Sequence, residues 1–270
     1  MHKYLTGHRQ DVDLLAGGFG RLEASISIAS YRATLGDEWC VPQFHERTQI
    51  HVTDLYHPLL QNPVKNTIYT DGGVLLTGSN ASGKSTFLKT VALEILLAQT
   101  IHTATATSYQ APFVRLLTSM SLRDDLTSGD SYYMAEIKSL KRILDAKKIP
   151  GEPVVCLIDE VLRGTNTVER IAASVEILKS LTDGAGICFA ATHDIELTRL
   201  LQGKYVNYHF EEIIKEGDIS FPYLLQKGSA STRNAILLLE IMGYPNEIIT
   251  EAQELAHTFL QTGKWTSMEE

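Results

Sequence analysis

Cysteine is scarce in this sequence. The three present are Cys40, Cys156 and Cys188, an odd number with no Cys-x-x-Cys spacing, which argues against a disulfide framework or a thiolate zinc site. Cys156 and Cys188 sit inside apolar runs, where a thiol acts as a small buried hydrophobe. Basic charge is also short: 24 Lys and Arg against 32 Asp and Glu leave a formal net charge of -8. A domain that binds DNA by itself carries a basic footprint, and none is present. The densest basic run, Lys138, Lys141, Arg142, Lys147 and Lys148, reads as the solvated face of a helix. No apolar run approaches the roughly 18 residues of a membrane span, and the opening MHKYLTGHRQ lacks the apolar core of a signal peptide. A cytoplasmic protein with no membrane contact of its own is the expectation. Internal repeats and low-complexity stretches are missing too.

What is there is enough for a sizeable core. The chain has 270 residues, 44% of them hydrophobic, which suits one large α/β domain with a helical appendage. Residues from about 11 to 35 carry Val12, Leu14, Leu15, Phe19, Leu22, Ile26, Ile28 and Ala29 at mostly helical spacing, interrupted by Gly17, Gly18 and Gly20. Each glycine weakens a helix by about 1 kcal/mol relative to alanine, so this stretch reads as a helical connector. Residues 36–70 are mixed, with Pro42, Pro58 and Pro63 as breakers. Three short apolar runs then follow: Val74–Thr77, Val154–Ile158 and Gly186–Ala191. Helical patterns lie between them, over Phe87–Ala98 and Ile171–Leu181. Continuous apolar strands alternating with helices predict a parallel sheet covered on both faces. Further on, Tyr205–Glu212 and Ile219–Leu225, joined by Glu216-Gly217-Asp218, predict a hairpin. Ser231–Met242 and Pro245–Leu260 predict two helices, with Gly243 as C-cap and Pro245 in the next helix's first turn.

Gly78-Ser79-Asn80-Ala81-Ser82-Gly83-Lys84-Ser85 satisfies G-x-x-x-x-G-K-[ST] in full. Glycines let the backbone approach a phosphate, and amide N–H groups converge on the anion at a helix N-terminus. Lys84 reaches the terminal phosphates, and Ser85 offers a hydroxyl to Mg²⁺. The segment lies between a predicted strand and a predicted helix, the context such a loop requires. Asp159-Glu160 closes the second apolar run, so both carboxylates emerge at a strand end, where open α/β sheets bind ligands. Asp159 suits Mg²⁺, and Glu160 suits a base that orients water. His193 follows the third run. It can contact a γ-phosphate or the attacking water, or else cap a helix over 194–200. His57 and His209 have no comparable context and read as structural.

Four blocks together resemble one family. Residues 78–89 are similar to the phosphate loop of MutS proteins, and 159–166 to their Asp-Glu-x-x-Arg-Gly-Thr-Ser block. Residues 191–198 resemble their Ala-Thr-His-x-x-Glu-Leu segment, and 124–136 their Asp-x-x-x-x-x-Ser-x-Phe-x-x-Glu signature. The blocks occur in family order over about 165 residues. The resemblance implies an ABC-type P-loop ATPase fold, a mostly parallel sheet with helices on both faces, a short N-terminal helical connector and a C-terminal helical pair. It implies three parts: a connector at 1–40, the ATPase domain at 41–228 and a helical dimerisation segment at 229–270. It further implies ATP and Mg²⁺ as cofactors and a homodimer with composite sites.

Carried over by match, Gly78, Ser79, Asn80, Ala81, Ser82, Gly83, Lys84, Ser85 and Thr86 bind the nucleotide. Ser85 and Asp159 hold the metal. Glu160, His193, Lys84 and Ser131 act in hydrolysis, Ser131 on the other subunit's γ-phosphate. Arg163-Gly164-Thr165 faces the partner. Tyr223 falls near the family's adenine-stacking ring, with an ordinary strand aromatic as the alternative. Departures are Ser79 for the usual proline, Ala81 for methionine, Asp130 for arginine, Leu162 for glycine and Asn166 for serine, which fit a MutS-related branch. Phe44-His45-Glu46 and Phe210-Glu211-Glu212 mimic a mismatch-reading wedge but lack its context. DNA enters this reading only through domains outside the chain. The alternative is a nucleotide-gated dimerisation module with little turnover, acting on a protein or membrane partner. An ABC transporter subunit is disfavoured, because Leu-Ser-Gly-Gly-Gln is absent.

Overall fold

The computed structural model describes residues 8–120, 132–163, 165–215, 218–230 and 235–265. A six-stranded sheet carries the strands expected from the apolar runs: β4 (Gly73–Thr77), β7 (Val154–Asp159) and β8 (Gly186–Ala191). These strands are buried almost throughout, as continuous apolar runs must be when both sheet faces are covered. With β6 (Arg115–Ser119), β9 (Tyr205–His209) and β12 (Gln226–Lys227), the order is β12-β9-β4-β8-β7-β6. All neighbouring pairs are parallel except β12 with β9.

Residues 36–70, which show no pattern in the sequence, build most of a second sheet. It has the order β1-β5-β2-β3, from β1 (Gln43–Phe44), β2 (Ile50–Leu55), β3 (Asn66–Thr70) and β5 (Ser108–Ala111). The helices are α1 (Arg9–Leu35), α2 (Lys84–Ile101), α3 (Tyr132–Lys147), α4 (Thr167–Thr182), α5 (Glu196–Leu200), α6 (Ala235–Ile241) and α7 (Asn246–Thr262). Helix α2 lies between the two sheets. Its Phe87, Leu88, Val91 and Ile95 pack with Ile50, Val52 and Tyr109 on one side and with Leu76, Leu157 and Phe189 on the other. Apolar on most of its circumference, it has the pattern of a helix enclosed by protein. The opposite face of the central sheet is covered by α3, α4 and α5, through Leu140, Ile143, Val175, Leu178 and Leu197. The central sheet is therefore not sandwiched by helices alone, since one side carries a single helix backed by a sheet.

Two expectations need correction. Tyr205–His209 is not a hairpin arm: β9 pairs in parallel with β4. The hairpin is smaller, β10 (Ile213–Lys215) against β11 (Asp218–Ser220). The parallel partner of β9 lies about 130 residues upstream, beyond the reach of local pattern. In the tail, Pro245 stands one position before α7 as its N-cap, outside the first turn, while Gly243 has φ 78° and its amide donates to Glu240 O. Among the described residues, no helix is long and apolar enough to cross a membrane. Of the basic run, Lys138, Lys141 and Arg142 are exposed on α3, while Lys147 turns in to donate to Ser180 O.

Candidate functional site

Strand β4 ends at Thr77 and α2 begins at Lys84, so residues 78–83 must turn the chain sharply. Gly78 has φ 143°, and a Cβ there would lie 2.7 Å from Phe210 O and 2.9 Å from Ser82 Oγ. Only glycine fits. Gly83, at φ 108°, precedes α2 and leaves its first amides without a side-chain cap. Uncapped amides at a helix N-terminus form an anion-binding surface. Ala81 adopts φ 63°, a left-handed backbone that costs a non-glycine residue about 1–3 kcal/mol. Lys84 folds back over this turn, its Nζ donating to Gly78 O at 2.8 Å and Ser79 O at 2.7 Å. Burial lowers the Lys84 ammonium to about 8, against the opposing pull of Glu160, Asp159 and Glu212. Ser79 Oγ donates to Glu212 Oε2 at 2.9 Å. Ser82 Oγ is buried with no hydrogen-bond partner among the described residues.

Asp159 is the last residue of β7, and Glu160 follows with φ 66°. The Glu160 amide donates to Ala191 O at 3.0 Å, which ties the end of β7 to the end of β8. His193, just past β8, places Nε2 3.2 Å from Glu160 Oε1, and Arg163 Nε lies 2.9 Å from Glu160 Oε2. The hydrogen bond from His193 holds the Glu160 carboxyl below its ordinary value. The charges of Arg163, His193 and Lys84 act in the same direction, and burial opposes them. Asp194 is gripped by Arg170 at 3.0 and 2.6 Å and takes its own amide back to Thr192 Oγ1 at 3.0 Å. This two-point grip orients the turn that presents His193.

These parts border one cleft of about 480 Å³, lined by Asn80 to Phe87, Asp159, Glu160, His193 and Tyr223. Gly78 and Ser79 stand behind it, as the carbonyls that hold Lys84. Tyr223 is not on a strand. It has φ 54°, and its ring lies 3.0 Å from where a Gly83 Cβ would be. Asn66 fastens this segment by donating to Tyr223 O at 3.1 Å and accepting from the Leu225 amide at 2.7 Å. A second cavity of about 190 Å³ shares Asn80, Glu160 and His193 and adds Arg163 and Arg170. Glu160 and His193 thus border both. Ser131 lies outside the described residues, as do most of 124–136 and Gly164.

The wall opposite the phosphate-loop turn comes from Tyr56, His57 and residues 60–64. His57 therefore borders the cleft, although the sequence offered it no role. Its imidazole is lowered by burial and by the charge of Lys89. No spacing rule marks this wall; Pro58 and Pro63 announce only a loop.

The donor set suits an anion and a hard cation together. A lysine, uncapped amides and a lining of hydroxyls face two carboxylates across the cleft. Mg²⁺ is commonly held by one or two protein groups plus phosphate oxygens and waters, and Ser85 with Asp159 are groups of that kind. The orphaned Ser82 Oγ, on a residue that lines the cleft, fits a loop shaped around a ligand.

Residues 74–260 match the family described as MutS domain V. Among curated proteins, the chain is similar to the DNA mismatch repair protein MutS of Leptospira interrogans serogroup Icterohaemorrhagiae serovar Lai. The two are 32% identical over 252 residues, covering 87% of this chain and 29% of that protein. Similar matches are the DNA mismatch repair protein MutS of Shouchella clausii, 27% identical over 269 residues (94% of this chain, 30% of the relative), and that of Aquifex pyrophilus, 30% identical over 229 residues (80% and 26%). The chain spans less than a third of the length of these relatives.

Proposed function

The chain belongs to the MutS family, matching its domain V, and from that premise we propose that it binds and hydrolyses ATP in the 480 Å³ cleft and closes on a second copy when loaded. One observation carries the reading: the 80–86 turn, the Asp159-Glu160 pair and His193 come from three separate chain segments and border a single cleft. In this reading Lys84 gives up the Gly78 and Ser79 carbonyls for the terminal phosphates, joined by the amides that begin α2. Ser85 and Asp159 hold Mg²⁺, which supplies charge neutralisation on the phosphates. The wall of Tyr223 and residues 56–64 accommodates the base.

Glu160 orients the attacking water, and its contact with His193 lets the imidazole follow the charge that develops at the reacting centre. Ser131 serves the second copy's site. The same reading divides the chain into a connector at 1–40, the ATPase domain at 41–228 and a dimerising segment at 229–270. The relatives are named for DNA mismatch repair. We infer that nucleotide-driven closure is transmitted to DNA by parts of the protein outside these residues.

A second reading also has support. Both Glu160 oxygens are engaged, by His193 and by Arg163, and these contacts lower its carboxyl and so weaken it as a base. That favours a nucleotide-gated module of low turnover. Steady-state phosphate release by the purified chain separates the two readings. The phosphate-loop assignment itself is tested by Lys84→Ala. Losing two charge-assisted contacts should weaken ATP binding roughly 100-fold or more, as read by calorimetry. A dissociation constant near that of the wild type would remove the assignment.

A further inference from the structure

Glu136 lies on α3, four residues past that helix's first residue, and it is buried. Its side chain reaches across to the loop that follows β7. Oε1 accepts the amide N–H of Leu162, and the Arg163 amide also stabilises the carboxylate. Oε2 has no hydrogen-bond partner among the described residues. The loop it holds is unusual. Glu160 and Leu162 both have left-handed backbones, at φ 66° and 56°, on either side of Val161. Glycine is common at the position of Leu162 in the proteins this block resembles, and it would take up that turn freely. Leucine does not. Here its side chain is buried among residues of the core under α3 and α4, while its amide is held by Glu136. The two anchors fix a turn that the residue itself disfavours.

We propose that Glu136 is a positioning residue: by holding the Leu162 amide it keeps the 160–163 turn in its left-handed form and so aims Glu160 at the reacting centre. This rests on the hydrolytic reading above. It adds a dependence on the seating of α3, which begins directly after Ser131. Glu136 is only about 6 Å along the helix from that start. A shift of the first turn of α3, produced by a second copy closing on nucleotide, would reach Glu160 through one side chain. Hydrolysis in one copy would then answer to what sits in front of its α3, with no change in how tightly its own nucleotide is held.

The test uses Glu136→Gln, which keeps the shape but weakens the acceptor, and Glu136→Ala, which removes it. Both are measured for ATP affinity, for kcat and for amide exchange across residues 160–163. The expected result is a fall in kcat of about 10- to 100-fold with ATP affinity unchanged, and faster exchange of the 160–163 amides in Glu136→Ala. Adding Leu162→Gly to Glu136→Gln should recover part of kcat, because glycine adopts the turn unaided. A kcat unchanged in both single variants, unchanged exchange, or a loss shared equally by affinity and kcat would overturn the proposal. If the wild type binds ATP but does not hydrolyse it, the hydrolytic reading falls and takes this role with it. If the wild type hydrolyses ATP and both Glu136 variants do so equally well, only the role of Glu136 falls.

Discussion

Glu94 is 1% exposed on α2, and one carboxyl oxygen accepts from both the Thr105 amide at 3.0 Å and Thr105 Oγ1 at 2.7 Å. Its other oxygen has no hydrogen-bond partner among the described residues. Burial outweighs the two hydrogen bonds and raises the carboxyl from 4.5 to about 7. A carboxyl that binds its proton more tightly when folded adds stability below its unfolded value, and that stability is lost as pH rises towards the folded one. Glu94 therefore contributes on the order of 3 kcal/mol at pH 4, most of which is gone above pH 7. In Glu94→Gln, the fall in urea-unfolding stability between pH 4.5 and 7 should flatten, and the variant should match or exceed the wild type at pH 8. An unaltered pH profile would show that Glu94 is not the group responsible. At this scale the phosphate loop, Asp159 and His193 were legible, because their chemistry depends on residue types at fixed spacing. The roles of His57, Asn66 and Glu136 were not, since each depends on a neighbour distant in sequence.

Among elements, one side chain ties α1 to the end of α2. Arg32, in the last turn of α1, donates to Thr103 Oγ1 at 2.9 Å, Ile101 O at 3.2 Å and His102 O at 2.8 Å, and its guanidinium lies 4.4 Å over the Trp39 ring. The last carbonyls of α2 have no partners within the helix, and a cation there also opposes the dipole. Helix α1 has no fully buried residue, so this joint ties it to the body where core packing does not. Arg32→Ala should cost about 1–2 kcal/mol in urea unfolding. Arg32→Lys should recover only part of that, because a point charge cannot span three acceptors. A midpoint unchanged in Arg32→Ala would refute the joint. The helical spacing of α1 was readable despite Gly17, Gly18 and Gly20, as were β4, β7 and β8 from their unbroken apolar runs. The second sheet was not readable: β1 has two residues and β5 four, too short for alternation to stand out.

For the whole molecule, the layers place the phosphate loop and the Asp159-Glu160 pair at the C-terminal ends of central strands, where β4 and β7 end on either side of β8. If loaded copies close on each other, removing the base while leaving Lys84 in place should trap them. Glu160→Gln should slow phosphate release about 100-fold or more and still bind ATP, with a longer-lived dimer by light scattering after ATP–Mg²⁺ is added. Unchanged turnover would refute the base assignment, and a variant that remains monomeric with ATP would refute closure.

The sequence by itself determined the nucleotide-loop motif, the acidic pair at a strand end, the parallel core strands and the family resemblance. These are local properties, set by residue types at fixed spacing and by the period of burial. Only the tertiary structure decided that β9 lies beside β4, that residues 36–70 form a sheet backing α2, and that Tyr56 and His57 wall the cleft. It also decided that Glu136 holds the turn behind Glu160. Each of these is a contact between segments far apart in the chain, made favourable by burial of the shared core, and no local pattern encodes which distant segment will meet it.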